Sequence, residues 1–170
     1  MKSVYIYPGS FCPPTFGHLH VVQKAAEICD HLIILCSVNE NKGGQLFSPE
    51  ECAELWQAYN LPKGTEVTTL EKIRAKEIDF RQIVMVRGIR DDNDFEHEKK
   101  VLFDNYIGLG IDKYIYLVGD PEFREISSSE ARRLAKLENS VELKKFLAPP
   151  VIEALLKKTT HSQKGGVSHD

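Results

Sequence analysis

The stretch Ser3-Val4-Tyr5-Ile6-Tyr7-Pro8-Gly9-Ser10-Phe11-Cys12-Pro13-Pro14-Thr15-Phe16-Gly17-His18 decides how this chain folds. Ser3 to Tyr7 is a short apolar β-type run, and the glycine and prolines after it enforce a tight turn. A helix is expected to begin at His18, because Val22, Ala25, Ala26 and Cys29 follow at i, i+3, i+4, i+7 spacing. Such a strand, turn and helix start aim backbone N–H groups and one imidazole at a single point, an arrangement suited to a polyphosphate. The spacing is not G-x-G-x-x-G and no G-K-[ST] follows, so the turn is neither a dinucleotide fingerprint nor a Walker loop. Gly9 is expected to admit a ligand close to the backbone and Gly17 to leave room beside it, with Ser10 and His18 as hydrogen-bonding groups.

Moving outward, β-rich runs recur at Ser3 to Tyr7, His31 to Val38, Glu66 to Leu70, Ile83 to Val86 and Lys113 to Val118. Helical stripes lie between them, for example Cys52, Leu55, Trp56 and Tyr59. Short strands rich in Ile, Val and Leu, alternating with helices, predict a doubly wound α/β fold: about five parallel strands with helices on both faces. In such sheets ligands bind beyond the carboxyl ends of the strands, where Pro8 to His18 lies.

Helix starts are explicit at Ser48-Pro49-Glu50-Glu51 and Ser127-Ser128-Ser129-Glu130, both with capping-box spacing. A last apolar helix with Val151, Ile152, Leu155 and Leu156 follows Pro149-Pro150 and is expected to pack outside the core. We read residues 1–158 as a single domain and 159–170, polar and carrying Gly165-Gly166, as a disordered tail.

With 170 residues the chain is long enough for a substantial core without staples. Its 22 basic and 25 acidic residues give a formal charge of −3, which supplies no electrostatic footprint for nucleic acid or an anionic membrane. Cys12, Cys29, Cys36 and Cys52 form no C-x-x-C motif, arguing against a disulfide framework or zinc site and for a reducing cytoplasm. No export signal and no membrane-spanning run is expected.

The motif G-[ST]-F-x-P-x-[TH]-x-G-H after a first strand resembles the signature turn of the nucleotidyltransferase α/β phosphodiesterase superfamily. Two further stretches match in order and spacing: Val86-Arg87-Gly88-Ile89-Arg90 with Asp94-Phe95-Glu96-His97-Glu98, and Ile126-Ser127-Ser128-Ser129. Together, from Lys2 to about Lys157, they resemble the bacterial phosphopantetheine adenylyltransferase family. That resemblance implies adenylyl transfer from ATP to 4′-phosphopantetheine, giving dephospho-coenzyme A, with magnesium accompanying ATP, feedback inhibition by coenzyme A and a homohexameric assembly.

The resemblance also implies roles for residues. His18, Lys42, Arg90 and Ser10 would be catalytic. ATP would contact Ser10, Phe11, His18, Gly88, Ile89, Arg90 and Glu98, and the segment Phe123, Arg124, Glu125, Ile126, Ser127, Ser128 and Ser129. Phosphopantetheine would contact Ser10, Lys42, Ile73 and Arg87, with Arg87 just beyond the fourth strand. The chemistry agrees: an acceptor that is itself a phosphate needs no base to deprotonate it, so the protein must supply alignment and charge stabilisation.

Asp94 and Glu98, one turn apart, are expected to orient Arg90. The run Asp91-Asp92-Asn93-Asp94 reads as acidic residues favoured at a helix N-terminus, not a metal cluster, and magnesium would be held mainly by phosphates and water. Cys12 and His20 stand where the family usually has carboxylates, and the tryptophan frequent before I-S-S-S is missing. Cys12 then reads either as a packed thiol or as a reactive one. Two other readings stay open: a related enzyme using nicotinamide mononucleotide or a CTP-dependent reaction, and an inactive nucleotide- or coenzyme A-binding homologue.

Overall fold

β1 (Val4–Gly9) is the central strand of a five-stranded sheet of order β3-β2-β1-β4-β5, with every neighbouring pair parallel. The computed structural model describes residues 3–38, 45–74, 80–90 and 92–164. β2 (Leu32–Cys36), β3 (Thr65–Thr69), β4 (Ile83–Ile89) and β5 (Lys113–Val118) complete the sheet, each at the place its β-rich run predicts. β4 runs further than the apolar signal, so Arg87, Gly88 and Ile89 lie inside the strand. Their ladder with β5, Arg87 opposite Tyr116 and Ile89 opposite Val118, carries the strand past its apolar residues.

Alternation along the strands builds a core on each face. Leu32, Ile34 and Cys36 of β2 join one cluster with Val22, Trp56, Leu134 and Leu155, while Ile33 and Leu35 join another with Ile6, Ile73, Ile83 and Ile111. This is the doubly wound arrangement expected of apolar parallel strands.

The helices follow their sequence signals, with corrections at the ends. α1 (Phe16–Ala26) starts two residues before His18, because Thr15 caps it and places His18 in the first turn. α2 (Pro49–Leu55) has the full capping box, the Ser48 side chain accepting from Glu51 N–H and the Glu51 carboxylate from Ser48 N–H at 2.8 Å. α3 (Leu70–Arg74) and α4 (Asp92–Leu109) flank β4 in sequence. In α5 (Ser128–Lys136) the Ser127 hydroxyl caps, but Glu130 turns away to Arg133, 2.5 Å from it, so the reciprocal half of the box is missing.

α6 (Ser140–Leu143) leads into α7 (Pro149–Lys164). Val151 and Leu155 are wholly buried in the larger core, so α7 is part of it rather than an outer cover. The helix also continues past the expected boundary at Thr159 as far as Lys164. Thr159 is buried, and its hydroxyl bonds back to the Leu155 and Leu156 carbonyls at 3.1 and 3.0 Å.

The two central strands part company. β1 pairs with β4 only from Val4 to Ile6, opposite Ile83 to Met85, although both strands continue. Strand order reverses between them, and the gap that opens there is where a doubly wound sheet receives a ligand.

Candidate active site

A cavity of about 430 Å³ sits over this opening. Its walls come from the first turn, from Arg87 to Arg90, from Asp94 and Glu98 of α4, and from Phe123 and Ile126 to Ser129. The structure thus gathers Ser10, Phe11, His18, Arg87, Gly88, Ile89, Arg90, Glu98, Phe123, Ile126, Ser127, Ser128 and Ser129 around one space. Arg124 and Glu125 do not line it, and Ile73 points into the smaller core beneath the sheet. Lys42 lies outside the described residues.

The first turn is held by its carbonyls. Arg132 Nη1 donates to the Cys12 carbonyl, Ser128 Oγ to that of Pro13 at 2.7 Å, and Tyr59 OH to that of Pro14 at 2.7 Å. Arg132 also donates to Ser129 Oγ at 3.1 Å. This arginine lines the cavity and was not among the residues singled out from sequence. The available signal was its position one helical turn after Ser128 and Ser129.

Gly9 and Gly17 both line the cavity, and in the direction a side chain would take each is packed against protein. A Cβ at Gly9 would lie 2.7 Å from the Phe11 ring, and one at Gly17 would lie 2.7 Å from the Ile126 carbonyl oxygen. A side chain at either position would therefore displace protein. Phe11 itself adopts a positive φ of 42° and turns its ring inward, 2% exposed, edge-on to Tyr7, His18 and Trp56. A non-glycine residue in that region is a local strain, of the kind that concentrates at functional sites.

His18 is oriented by the helix cap. The Thr15 backbone N–H donates to Nδ1 at 3.1 Å, and His18 N–H donates to Thr15 Oγ1 at 3.3 Å. Because a backbone N–H only donates, Nδ1 must accept, which puts the proton of the neutral ring on Nε2. The imidazole is thereby a donor on its far side.

Arg87 carries the strongest electrostatic contact. Its Nε and Nη2 donate to the two oxygens of Glu98, each at 2.6 Å, and Nη1 donates to the Pro8 carbonyl at 3.0 Å, across the opening between β1 and β4. Burial alone lowers the arginine pKa, but the Glu98 hydrogen bonds and charge outweigh it, so the guanidinium is held more firmly cationic than usual. Burial pushes the neighbouring Tyr7 hydroxyl up, keeping it neutral. Arg90 is gripped instead by Asp94, through Nε at 2.8 Å and Nη2 at 3.1 Å. The expectation that Glu98 would orient Arg90 is therefore corrected: α4 presents one carboxylate to each arginine.

His20 takes a structural part. Its Nε2 accepts from the Asp120 N–H at 3.2 Å, and its ring stacks on Phe123 with centroids 4.2 Å apart. The histidine and phenylalanine together tie α1 to the segment beyond β5.

A family model described as cytidylyltransferase-like matches residues 6–134. A curated phosphopantetheine adenylyltransferase from Rhodopirellula baltica is 36% identical over 163 residues, covering 92% of this chain and 88% of the relative. The chain belongs to the phosphopantetheine adenylyltransferase branch of the cytidylyltransferase-like family. A phosphopantetheine adenylyltransferase from Clostridium botulinum is 29% identical over 163 residues, covering 93% of this chain and 96% of the relative. Among solved structures, nicotinic acid mononucleotide adenylyltransferase of Plasmodium falciparum, in complex with NaAD, superposes with a TM-score of 0.64 at 19% identity. It covers 95% of this chain and 98% of that one. A bifunctional NMN adenylyltransferase/ADP ribose pyrophosphatase from Francisella tularensis gives 0.64 at 14% identity, covering 96% of this chain and 54% of that one. The structural likeness establishes the nucleotidyltransferase fold; the branch rests on the sequence relatives.

Proposed function

We propose that this protein transfers the adenylyl group of ATP to 4′-phosphopantetheine, giving dephospho-coenzyme A and pyrophosphate, a step in coenzyme A biosynthesis. The observation that carries this reading is the convergence of a donor-oriented His18, Arg87, Arg90 and the N-terminal serines of α5 on one cavity. The acceptor phosphate is already an anionic nucleophile, so no side chain has to remove a proton. Catalysis then consists of alignment and stabilisation of charge as pyrophosphate leaves.

In this reading Nε2–H of His18 donates to the α-phosphate, where charge builds in the transition state. Arg90 grips the triphosphate while Asp94 keeps it extended. The backbone N–H groups and hydroxyls at the start of α5 receive the departing β- and γ-phosphates, with Arg132 beside them. Ser10, Lys42 and Arg87 serve the acceptor phosphate. Asp94 and Glu98 are each committed to an arginine, so magnesium fits best as an ion carried by the nucleotide's own oxygens and water, neutralising the triphosphate.

The assembly proposed is a homohexamer, supported by apolar side chains left exposed on α4 and β5, Phe95, Ile107 and Val118. A cytoplasmic location is supported by four cysteines present as free thiols. Among the described residues, no helix is long and apolar enough to cross a membrane.

The deciding experiment supplies purified protein with ATP and 4′-phosphopantetheine and follows pyrophosphate and dephospho-coenzyme A. Formation of both is expected. Turnover only with nicotinamide mononucleotide, or only with CTP, would place the chain elsewhere in the superfamily. Tight ATP or coenzyme A binding without turnover would make it a binding homologue.

A further inference from the structure

The cavity wall divides by chemistry. Ser10, His18, Arg90 and the serines that open α5 supply charge and hydrogen-bonding groups, whereas Val21, Gly88, Ile89, Gly119, His20 and Phe123 offer flat or apolar surface. The second set is contiguous. The Gly119 N–H donates to the Ile89 carbonyl at 2.9 Å, a Cβ on Gly88 would lie 2.7 Å from Val21 Cγ2, and His20 precedes Val21 on α1. It also runs directly into the polar set, because the Ile126 N–H donates to the Phe123 carbonyl at 3.1 Å and Ser127 follows. A nucleotide whose phosphates occupy the start of α5 therefore has this flat stretch beside it for its nucleoside.

His20 holds that stretch in two ways. Its ring, 9% exposed, lies nearly parallel to the Phe123 ring, with an interplanar angle of 13° and centroids 4.2 Å apart. Phe123 is in neither hydrophobic core, so the stack on His20 is the ring contact that fixes it. The His20 Nε2 also accepts from the Asp120 N–H at 3.2 Å, which places the ring proton on Nδ1. Asp120 Oδ2 is 3.3 Å from the same nitrogen, but that carboxylate is engaged on its other oxygen by Lys24 Nζ at 2.7 Å. Lys24 also donates to the Val118 carbonyl at 2.8 Å. His20 and Lys24 are one helical turn apart, so a single face of α1 grips the chain from Val118 to Phe123. His20 is buried and lines the cavity, whereas Lys24 is partly exposed and does not.

We propose that His20 is a positioning residue for the nucleoside of the nucleotide substrate: by stacking on Phe123 and holding the Asp120 amide, it sets the wall against which the base lies. The role rests on the adenylyl-transfer reading. A base is a flat, polarisable surface, and an aromatic wall already fixed in place gains contact with it without the cost of ordering a loose side chain. The linear arm of phosphopantetheine presents no ring to such a wall. His20 contacts a neighbouring side chain and a backbone amide, not the phosphates, so its effect falls on ATP binding and not on the chemical step.

Hydrogen exchange of the unliganded protein tests the bracing without any substrate. His20→Ala is expected to speed exchange of the Asp120 amide at least about tenfold, with the peptides of α5 unchanged. Calorimetric titration then compares ATP with inorganic tripolyphosphate. His20→Ala should weaken ATP about tenfold and leave tripolyphosphate within about twofold, whereas a general loss of structure would weaken both. His20→Phe keeps the stack but cannot accept a hydrogen bond, so it should restore most of the ATP affinity while the Asp120 amide still exchanges fast. In turnover by His20→Ala, KM for ATP should rise, with kcat and KM for phosphopantetheine little changed. ATP affinity unchanged in His20→Ala, or ATP and tripolyphosphate weakened alike, would overturn the role of His20. Wild-type protein that binds tripolyphosphate but no ATP would fail the adenylyl-transfer reading itself, and the role of His20 with it, before any substitution is made.

Discussion

Arg87 on β4 and Glu98 on α4 meet through two parallel hydrogen bonds of 2.6 Å, and both side chains are largely withdrawn from solvent. A bidentate pair in that setting gains much of its strength from exclusion of water, and removing one partner strands the other. Glu98→Ala is therefore expected to destabilise the protein by about 3 kcal/mol, measured by urea denaturation. Glu98→Gln, which keeps one acceptor, should lose distinctly less. Equal stability of wild type and Glu98→Ala would show that the pair contributes nothing net.

His18→Ala is expected to lower kcat by at least about a hundredfold with little change in KM, because the Nε2–H contact strengthens only as charge develops on the α-phosphate. Steady-state kinetics with both substrates decide it. An unchanged kcat removes His18 from the chemistry.

Thr15 holds that histidine in register as well as capping α1. Thr15→Val is expected to cost about 1 kcal/mol of stability and to lower kcat beyond what that loss explains, while Thr15→Ser preserves both. A stability loss with kcat intact would reduce Thr15 to a helix cap.

Gly9→Ala drives a methyl group into the Phe11 ring, which has no room to retreat between Tyr7 and Trp56. The expected cost is about 1–3 kcal/mol, and Phe11→Leu in the same chain should recover part of it. Calorimetry of the single and double variants gives the coupling directly.

Acid stability depends on a contact between α2 and α7. Lys158 lies 2.7 Å from Glu51, and that hydrogen bond, with the Ser48 N–H, holds the Glu51 carboxyl below its usual range. The folded state thus binds fewer protons than the unfolded chain near the ordinary carboxylate value. The stabilisation is fully present above that value and is lost as pH falls through the folded one. Lys158→Ala should flatten the decline of unfolding free energy on acidification, in denaturation series at successive pH values.

Much of this was legible in the residues. The five strands, the Ser48 and Ser127 caps and the cavity-lining turn follow from period, capping chemistry and glycine–proline spacing, all local signals. Relationships set by tertiary packing were not. Arg87 and Glu98 are eleven residues apart, on a strand and a helix, a separation with no recognisable period. Gly9 and Gly17 line the cavity, but what packs against each, the Phe11 ring and the Ile126 carbonyl, follows from how the chain folds back and carries no sequence period. The polar composition after Thr159 suggested a tail, yet a helix already formed is cheap to extend, and Thr159 buries its side chain and satisfies its hydroxyl on the preceding turn.

Three successive carbonyls, those of Cys12, Pro13 and Pro14, are grasped by Arg132, Ser128 and Tyr59. Two of these side chains ride on α5, whose first turn is proposed to receive the leaving group. The peptide units that α5 holds are the ones that lead into His18. The start of α5 and the entry to α1 are thus braced by the same peptide groups, so the two walls of the cavity are one mechanical unit and not two independent surfaces.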